Sequence, residues 1–166
     1  MPEFKTPESS LFYEESSGLF DVPTLFLHGN LASNRWWEPS EKHWRESSNG
    51  SKSASMYKIE WRGNGRAQAP KSREDLDFAK IASDIVAFCK EFNLSKVRVV
   101  GHSTGATIAL KLAADAPELV ESLVLLDPVS TRGIAFTEEQ KQGFIQMKQI
   151  KDVAAAVLQA TIHGSQ

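Results

Sequence analysis

VVGHSTGATIAL, residues 99–110, sets a serine between two glycines where a β-branched run stops and a run of small residues begins. The apolar start reads as the end of a strand and GATIAL as the opening of a helix. A chain that passes from strand to helix within two or three residues forces the residue at the tip into a strained backbone conformation. Side chains two positions before and after would collide across so tight a turn, and Gly101 and Gly105 stand at those positions. Such a turn lifts the Ser103 hydroxyl out over the sheet. It also aims the backbone N–H of Thr104 at the same space, beside a helix N-terminus. The plainer reading is a phosphate-cradling glycine loop or a simple tight turn. GHSTGA does not meet the dinucleotide-binding spacing G-x-G-x-x-G.

Working outward, strands and helices alternate. SLFYEES (10–16) reads as a strand and VPTLFLHGN (22–30) as a buried strand that ends in a glycine turn. RWWEPSEKHW (35–44) reads as a helix started or broken at Pro39, and the polar 46–55 segment as a loop. SMYKIEW (55–61) is a strand followed by the glycine-rich RGNGRAQAP (62–70). Phe78, Ile81, Ile85, Phe88 and Phe92 recur every three or four residues, the mark of a helix with one buried stripe. KVRVVG (96–101) is a strand, TGATIALKLAADAP (104–117) a deeply packed helix, and SLVLLDP (122–128) a strand of the fully buried kind. From Thr137 the chain turns helical and charged. This order predicts an α/β fold, a mostly parallel doubly wound sheet with helices on both faces. HGN, RGNGR, GHSTG and DP then all lie at carboxyl ends of strands, where such sheets place their chemistry.

A serine that attacks a carbonyl needs two donors for the oxyanion. Thr104 supplies one N–H. The turn at 28–30 offers another from Asn30, and each preorganised donor contributes about 3–4 kcal/mol in the transition state. His28 reads either as part of the pocket wall or as a hydrogen-bonded structural histidine. Trp36 and Trp37 read either as pocket lining or as packing residues.

These motifs resemble the α/β-hydrolase family, in its serine-nucleophile esterase and lipase branch. FLHGN is similar to the family's oxyanion loop, IEWRGNGRA to its strand-four loop, VVGHSTGA to its nucleophile elbow and APELVESLVLLDP to the following helix end and strand. The resemblance covers residues 10–128. It implies Ser103 as nucleophile, with Asn30 and Thr104 as the oxyanion-hole amides. It divides the chain into a core over 1–129 and the start of a helical cap over 130–166. Asn64 and Ala67 depart from the His and Ser common in the family's RGHGRS loop. An Asn after HG is also similar to haloalkane dehalogenases, but their nucleophile is aspartate and this elbow carries serine.

The family's acid and histidine follow later strands. Asp127 and His163 have the right chain order, yet His163 follows a stretch that reads as helix, with no final strand before it. Asp127 reads first as a strand-end residue bonded to nearby backbone. Loss of the histidine from a serine triad costs on the order of a million-fold in turnover. The expectation is therefore the N-terminal part of a longer hydrolase, lacking the last strands and nearly inactive alone. It would leave the SLVLL edge unpaired. The alternative is a non-catalytic binding member of the same fold.

Composition narrows the partners. The chain has 166 residues, 19 basic against 21 acidic, and a formal charge of −2. No basic block supports nucleic-acid binding. The polar start lacks signal-peptide character and no apolar run is long enough for a membrane span. The expected setting is cytoplasmic and the expected partner a small-molecule acyl substrate. One cysteine, Cys89, excludes an internal disulfide, and scattered histidines offer no metal cluster, so no cofactor and no metal are expected.

Overall fold

The computed structural model describes residues 2–18, 20–47, 54–133 and 135–161. His163 and most of the 46–55 loop lie outside these. The strands are β1 (Glu3–Lys5), β2 (Ser10–Ser16), β3 (Phe20–Leu27), β4 (Ala54–Glu60), β5 (Val97–His102) and β6 (Val120–Leu126). They form one sheet in the order β1-β2-β4-β3-β5-β6. β1 pairs with β2 and β2 with β4 antiparallel, while the pairs β4–β3, β3–β5 and β5–β6 are parallel. The helices are α1 (Glu38–Ser47), α2 (Phe78–Glu91), α3 (Thr104–Asp115), α4 (Glu138–Gln149) and α5 (Lys151–Thr161). The α/β class and the parallel core follow the sequence reading.

Alternation along β3 divides the packing. Leu25 and Leu27 point to one face, where Ile81, Ile85 and Phe88 of α2 and Ile108 and Leu112 of α3 complete the main core. Phe26 points to the other face and meets Trp37, Met56 and Val100. There the turn Asn34–Trp37 and α1 lie over the sheet, and Glu41 of α1 accepts from Lys58 Nζ at 2.6 Å. Helical segments therefore cover both faces.

Local chemistry starts and stops α2. Asp77 caps it by accepting from the Ala79 N–H at 2.7 Å. Asn93 ends it in the left-handed region, with the Leu94 N–H returning to the Cys89 carbonyl at 2.8 Å. Cys89 is buried in this helix, and burial pushes its thiol up to about 12, which fits a packing residue.

One strand lies outside the sequence reading, and two expectations need correction. The polar start contains a strand, β1, because Phe4 packs edge-on against Phe88 with ring centroids 5.7 Å apart. β6 is not fully buried. It is an edge strand, so Leu123 and Leu125 pack against the main core while Val124 stays 51% exposed. Phe78, the first residue of the predicted stripe, is outside the core and lines an open cavity with Leu76.

Contacts divide the chain into two compact units, 1–131 and 132–166. The second holds α4 and α5. Thr137 and Gln140 form a reciprocal cap at the start of α4, and Phe136 packs edge-on against Phe144 at 5.0 Å.

Candidate active site

The elbow carries a signature that an ordinary helix start lacks. A capping serine normally has extended backbone and accepts from an N–H one turn in. Ser103 precedes α3 with φ 52 and ψ −118, and its side chain makes no capping bond. Its hydroxyl is thus left over from helix formation. The backbone is fastened instead: the Ser103 N–H donates to the Leu126 carbonyl at 2.9 Å, and the Ser103 carbonyl accepts from Ala106 at 3.0 Å.

The two glycines are demanded by close approach. A Cβ on Gly101 would lie 2.6 Å from the Ala106 Cα, which is the collision across the turn that the sequence suggested. A Cβ on Gly105 would lie 2.2 Å from the Leu27 carbonyl oxygen and 2.6 Å from that of His28. The second glycine therefore serves helix-on-strand contact with β3 and not the turn itself.

Left-handed residues mark the same rim. Among the described residues the non-glycine positions with positive φ are Leu31, Asn93, Ser103 and Asp127. Asn93 has its helix-end explanation. The other three stand just beyond β3, β5 and β6, where three parallel strands leave the sheet side by side. Strain collected at one edge of a fold is a pointer to function. Asp127 directly follows Leu126, whose carbonyl holds the Ser103 N–H, so its backbone adjoins the elbow; its side chain is exposed.

The turn after β3 is pressed against the elbow. A Cβ on Gly29 would lie 3.0 Å from His102 Nδ1 and 3.1 Å from Ser103 Cβ. Asn30 follows, exposed, at the turn. Thr104 is the first residue of α3, so its N–H is one of the four without an intrahelical acceptor. His28 is completely buried, stacked on Trp61 at 5.6 Å, and its carbonyl accepts from Trp61 Nε1 at 3.0 Å. Its Nδ1 lies 2.7 Å from the Gly29 carbonyl, an acceptor only, so Nδ1 carries the hydrogen. Desolvation holds this imidazole below its ordinary value. His28 thus sits beneath the turn, stacked and hydrogen-bonded inside the fold.

The two tryptophans differ. Trp37 is core, 5.2 Å from Phe26 edge-on, while Trp36 is half exposed and stacked on His102. One turn beyond Ser103, Thr107 contributes to an open cavity of about 650 Å³ with Leu76, Phe78 and Leu110. Sequence reasoning missed this hollow because it assigned Phe78 to the core.

It also missed two charged anchors. Arg62 and Asp84 form a buried two-point pair, with Nε–Oδ2 at 2.6 Å and Nη2–Oδ1 at 2.7 Å, tying the loop after β4 to α2. Glu60, itself buried, accepts from the N–H groups of Arg66 at 2.8 Å and Asn34 at 3.3 Å, joining that loop to the turn after β3. Gly65 passes over this carboxylate so closely that a Cβ would fall 2.4 Å from it. Burial of Glu60 opposes its charge, but the bonds from Arg66 and Asn34 outweigh burial and hold its carboxyl below the usual range. A folded-state pKa that is depressed stabilises the fold above the unfolded value, about 4.3, and that contribution fades as pH falls through the folded pKa. Glu60→Gln is therefore expected to show a shallower loss of stability below about pH 4.3 than the wild type, read as urea midpoints across an acid series. Parallel acid limbs would remove Glu60 from this role.

Among the described residues no group of three or more potential metal ligands occurs, and no helix is long and apolar enough to cross a membrane. No imidazole among them is hydrogen-bonded to the Ser103 hydroxyl.

A family model of the alpha/beta hydrolase fold matches residues 22–160. Ethanol acetyltransferase 1 of Cyberlindnera fabianii is 29% identical over 80% of this chain and 37% of its own. A putative esterase/lipase of Haemophilus influenzae is 37% identical over 44% of this chain and 24% of its own. The chain thus spans well under half the length of these curated relatives. Among solved structures, an esterase from Exiguobacterium antarcticum superposes with TM-score 0.70 at 22% identity, over 86% of this chain and 53% of that one. Est816, described as an N-acyl homoserine lactone degrading enzyme, gives 0.75 at 20% identity, over 98% and 58%.

Proposed function

The chain belongs to the alpha/beta hydrolase fold family, and from that premise we propose that it carries the acyl-accepting part of a serine hydrolase site. Ser103 Oγ attacks the carbonyl carbon of a small carboxylic ester or related acyl compound. Charge gathers on the carbonyl oxygen, where the N–H groups of Asn30 and Thr104 meet it. The carbonyl–alkoxy bond then breaks and the alcohol leaves with a proton. The acyl group stays on Ser103 as an ester until water removes it.

One observation carries this reading. Ser103 holds a strained, left-handed backbone at a helix start and spends its hydroxyl on no cap. The named relatives include an alcohol acetyltransferase and an esterase, and one acyl-serine intermediate serves both fates. Ser103 is partly exposed, so an acceptor can reach it.

The second reading is a binding member of the fold. It is favoured by the lack of a described base on the Ser103 hydroxyl. Asp127, and His163 beyond the described residues, remain the proposed acid and base of this chain; a base from elsewhere in a longer protein is the other source. A fluorophosphonate probe separates the two readings when imidazole is supplied as external base. The expected result is one adduct mapped to Ser103 by peptide mass and absent from Ser103→Ala. An adduct elsewhere, or none, supports the binding protein.

A further inference from the structure

We propose that Trp36 is a positioning residue whose stack on His102 holds the turn bearing Asn30 against Ser103. This rests on the reading of Ser103 given above.

The turn between β3 and α1 is fixed at its two limbs. At the near limb, Gly29 runs so close to the elbow that a Cβ there would lie 3.0 Å from His102 Nδ1 and 3.1 Å from Ser103 Cβ. At the far limb, Asn34 donates its N–H to Glu60 at 3.3 Å and its side-chain amide to the Lys58 carbonyl at 2.9 Å. Asn30 and Leu31 between them are exposed, and Leu31 is left-handed with φ 57. An exposed span with so few anchors would swing away from the elbow.

Trp36 closes that span. Its ring lies on the His102 imidazole with centroids 4.5 Å apart and planes 18° from parallel. His102 also stands so near Gly29 that a Cβ there would lie 3.0 Å from its Nδ1, so both limbs of the turn adjoin one imidazole. His102 Nδ1 is buried with no hydrogen-bond partner among the described residues. Packing sets the orientation of this ring, with Gly29 at its edge and the indole on its face. Since Trp37 alone serves the core at this point, Trp36 is not needed there. A donor displaced by about 1 Å costs up to about a hundred-fold in rate.

The test is the rate of Ser103 phosphonylation in the full chain, with imidazole present. Trp36→Ala is expected to lower the maximal rate at least about ten-fold at unchanged half-saturating probe concentration, since a transition-state donor and not ground-state binding is lost. Trp36→Phe, which keeps a ring, is expected to stay within about three-fold of wild type. His102→Ala is expected to match Trp36→Ala, and the double variant to be no slower than either. Should Trp36→Ala not fold, His102→Ala and Trp36→Phe carry the same comparison. Wild-type rates in Trp36→Ala, an effect confined to probe affinity, or effects that multiply in the double variant would overturn the proposal and leave the Ser103 reading intact. No labelling of the wild-type chain would bring down both.

Discussion

Asp84→Ala is expected to destabilise the chain by about 3–5 kcal/mol, the usual result of breaking a buried ion pair from one side. The Arg62 guanidinium is buried and bonded at two points to Asp84, with a third bond to the Asp75 carbonyl at 3.3 Å. Hydrogen bonding to Asp84 raises its pKa further, so it cannot escape by losing a proton. Removing the carboxylate leaves a buried charge with the Asp75 carbonyl bond and only the more distant Asp75 and Glu8 carboxylates to balance it. Against a total stability of about 5–15 kcal/mol, that loss brings the domain close to unfolding.

The control is the double replacement Arg62→Met with Asp84→Leu. It removes both charges and keeps apolar volume, so most of the lost stability is expected to return. Urea midpoints for the single and double variants decide it. Equal losses in both would mean that the pair's shape, and not its stranded charge, holds the loop after β4 to α2.

Neither partner was legible in the sequence, because nothing in RGNGR or in the α2 stripe says that residues 22 positions apart share a bidentate bond. The elbow was legible for the opposite reason. Its demands are local: a β-branched run, a serine, and two positions without Cβ, all within a dozen residues. Even so, the sequence assigned Gly105 to the turn, whereas its constraint comes from the β3 carbonyls far upstream. The apolar runs gave the parallel strands their places. β1 escaped notice because EFK holds one apolar residue, and pairing of Phe4 with Leu11 makes it a strand. SLVLL has the letters of a strand covered on both faces. Which faces are covered is a property of its neighbours, and here β6 has one neighbouring strand. Trp36 and Trp37 make the same point, since adjacent identical side chains meet a histidine and the core respectively.

Gly105→Ala tests the contact that matters most to the elbow. The added methyl would sit 2.2 Å from one backbone oxygen and 2.6 Å from another, and neither can turn aside as a side chain would. The start of α3 must instead back away from β3, taking Thr104 with it. Overpacking of this kind costs about 1–3 kcal/mol, and more where backbone is hit, while alanine's better helix propensity returns about 1 kcal/mol. With the cost at the upper end of that range, a net loss of about 2 kcal/mol is expected, with Ser103 phosphonylation slowed about a hundred-fold in the protein that remains folded. Gly143→Ala supplies the opposite case. It is also a helical glycine, in α4, and a Cβ there meets nothing within 4 Å. There the same methyl should stabilise by about 0.5–1 kcal/mol. Opposite signs for one chemical change at two helical positions would isolate the β3 carbonyls as the cause. A neutral Gly105→Ala with undiminished labelling would mean that α3 does not need its close seat on β3 to present Ser103.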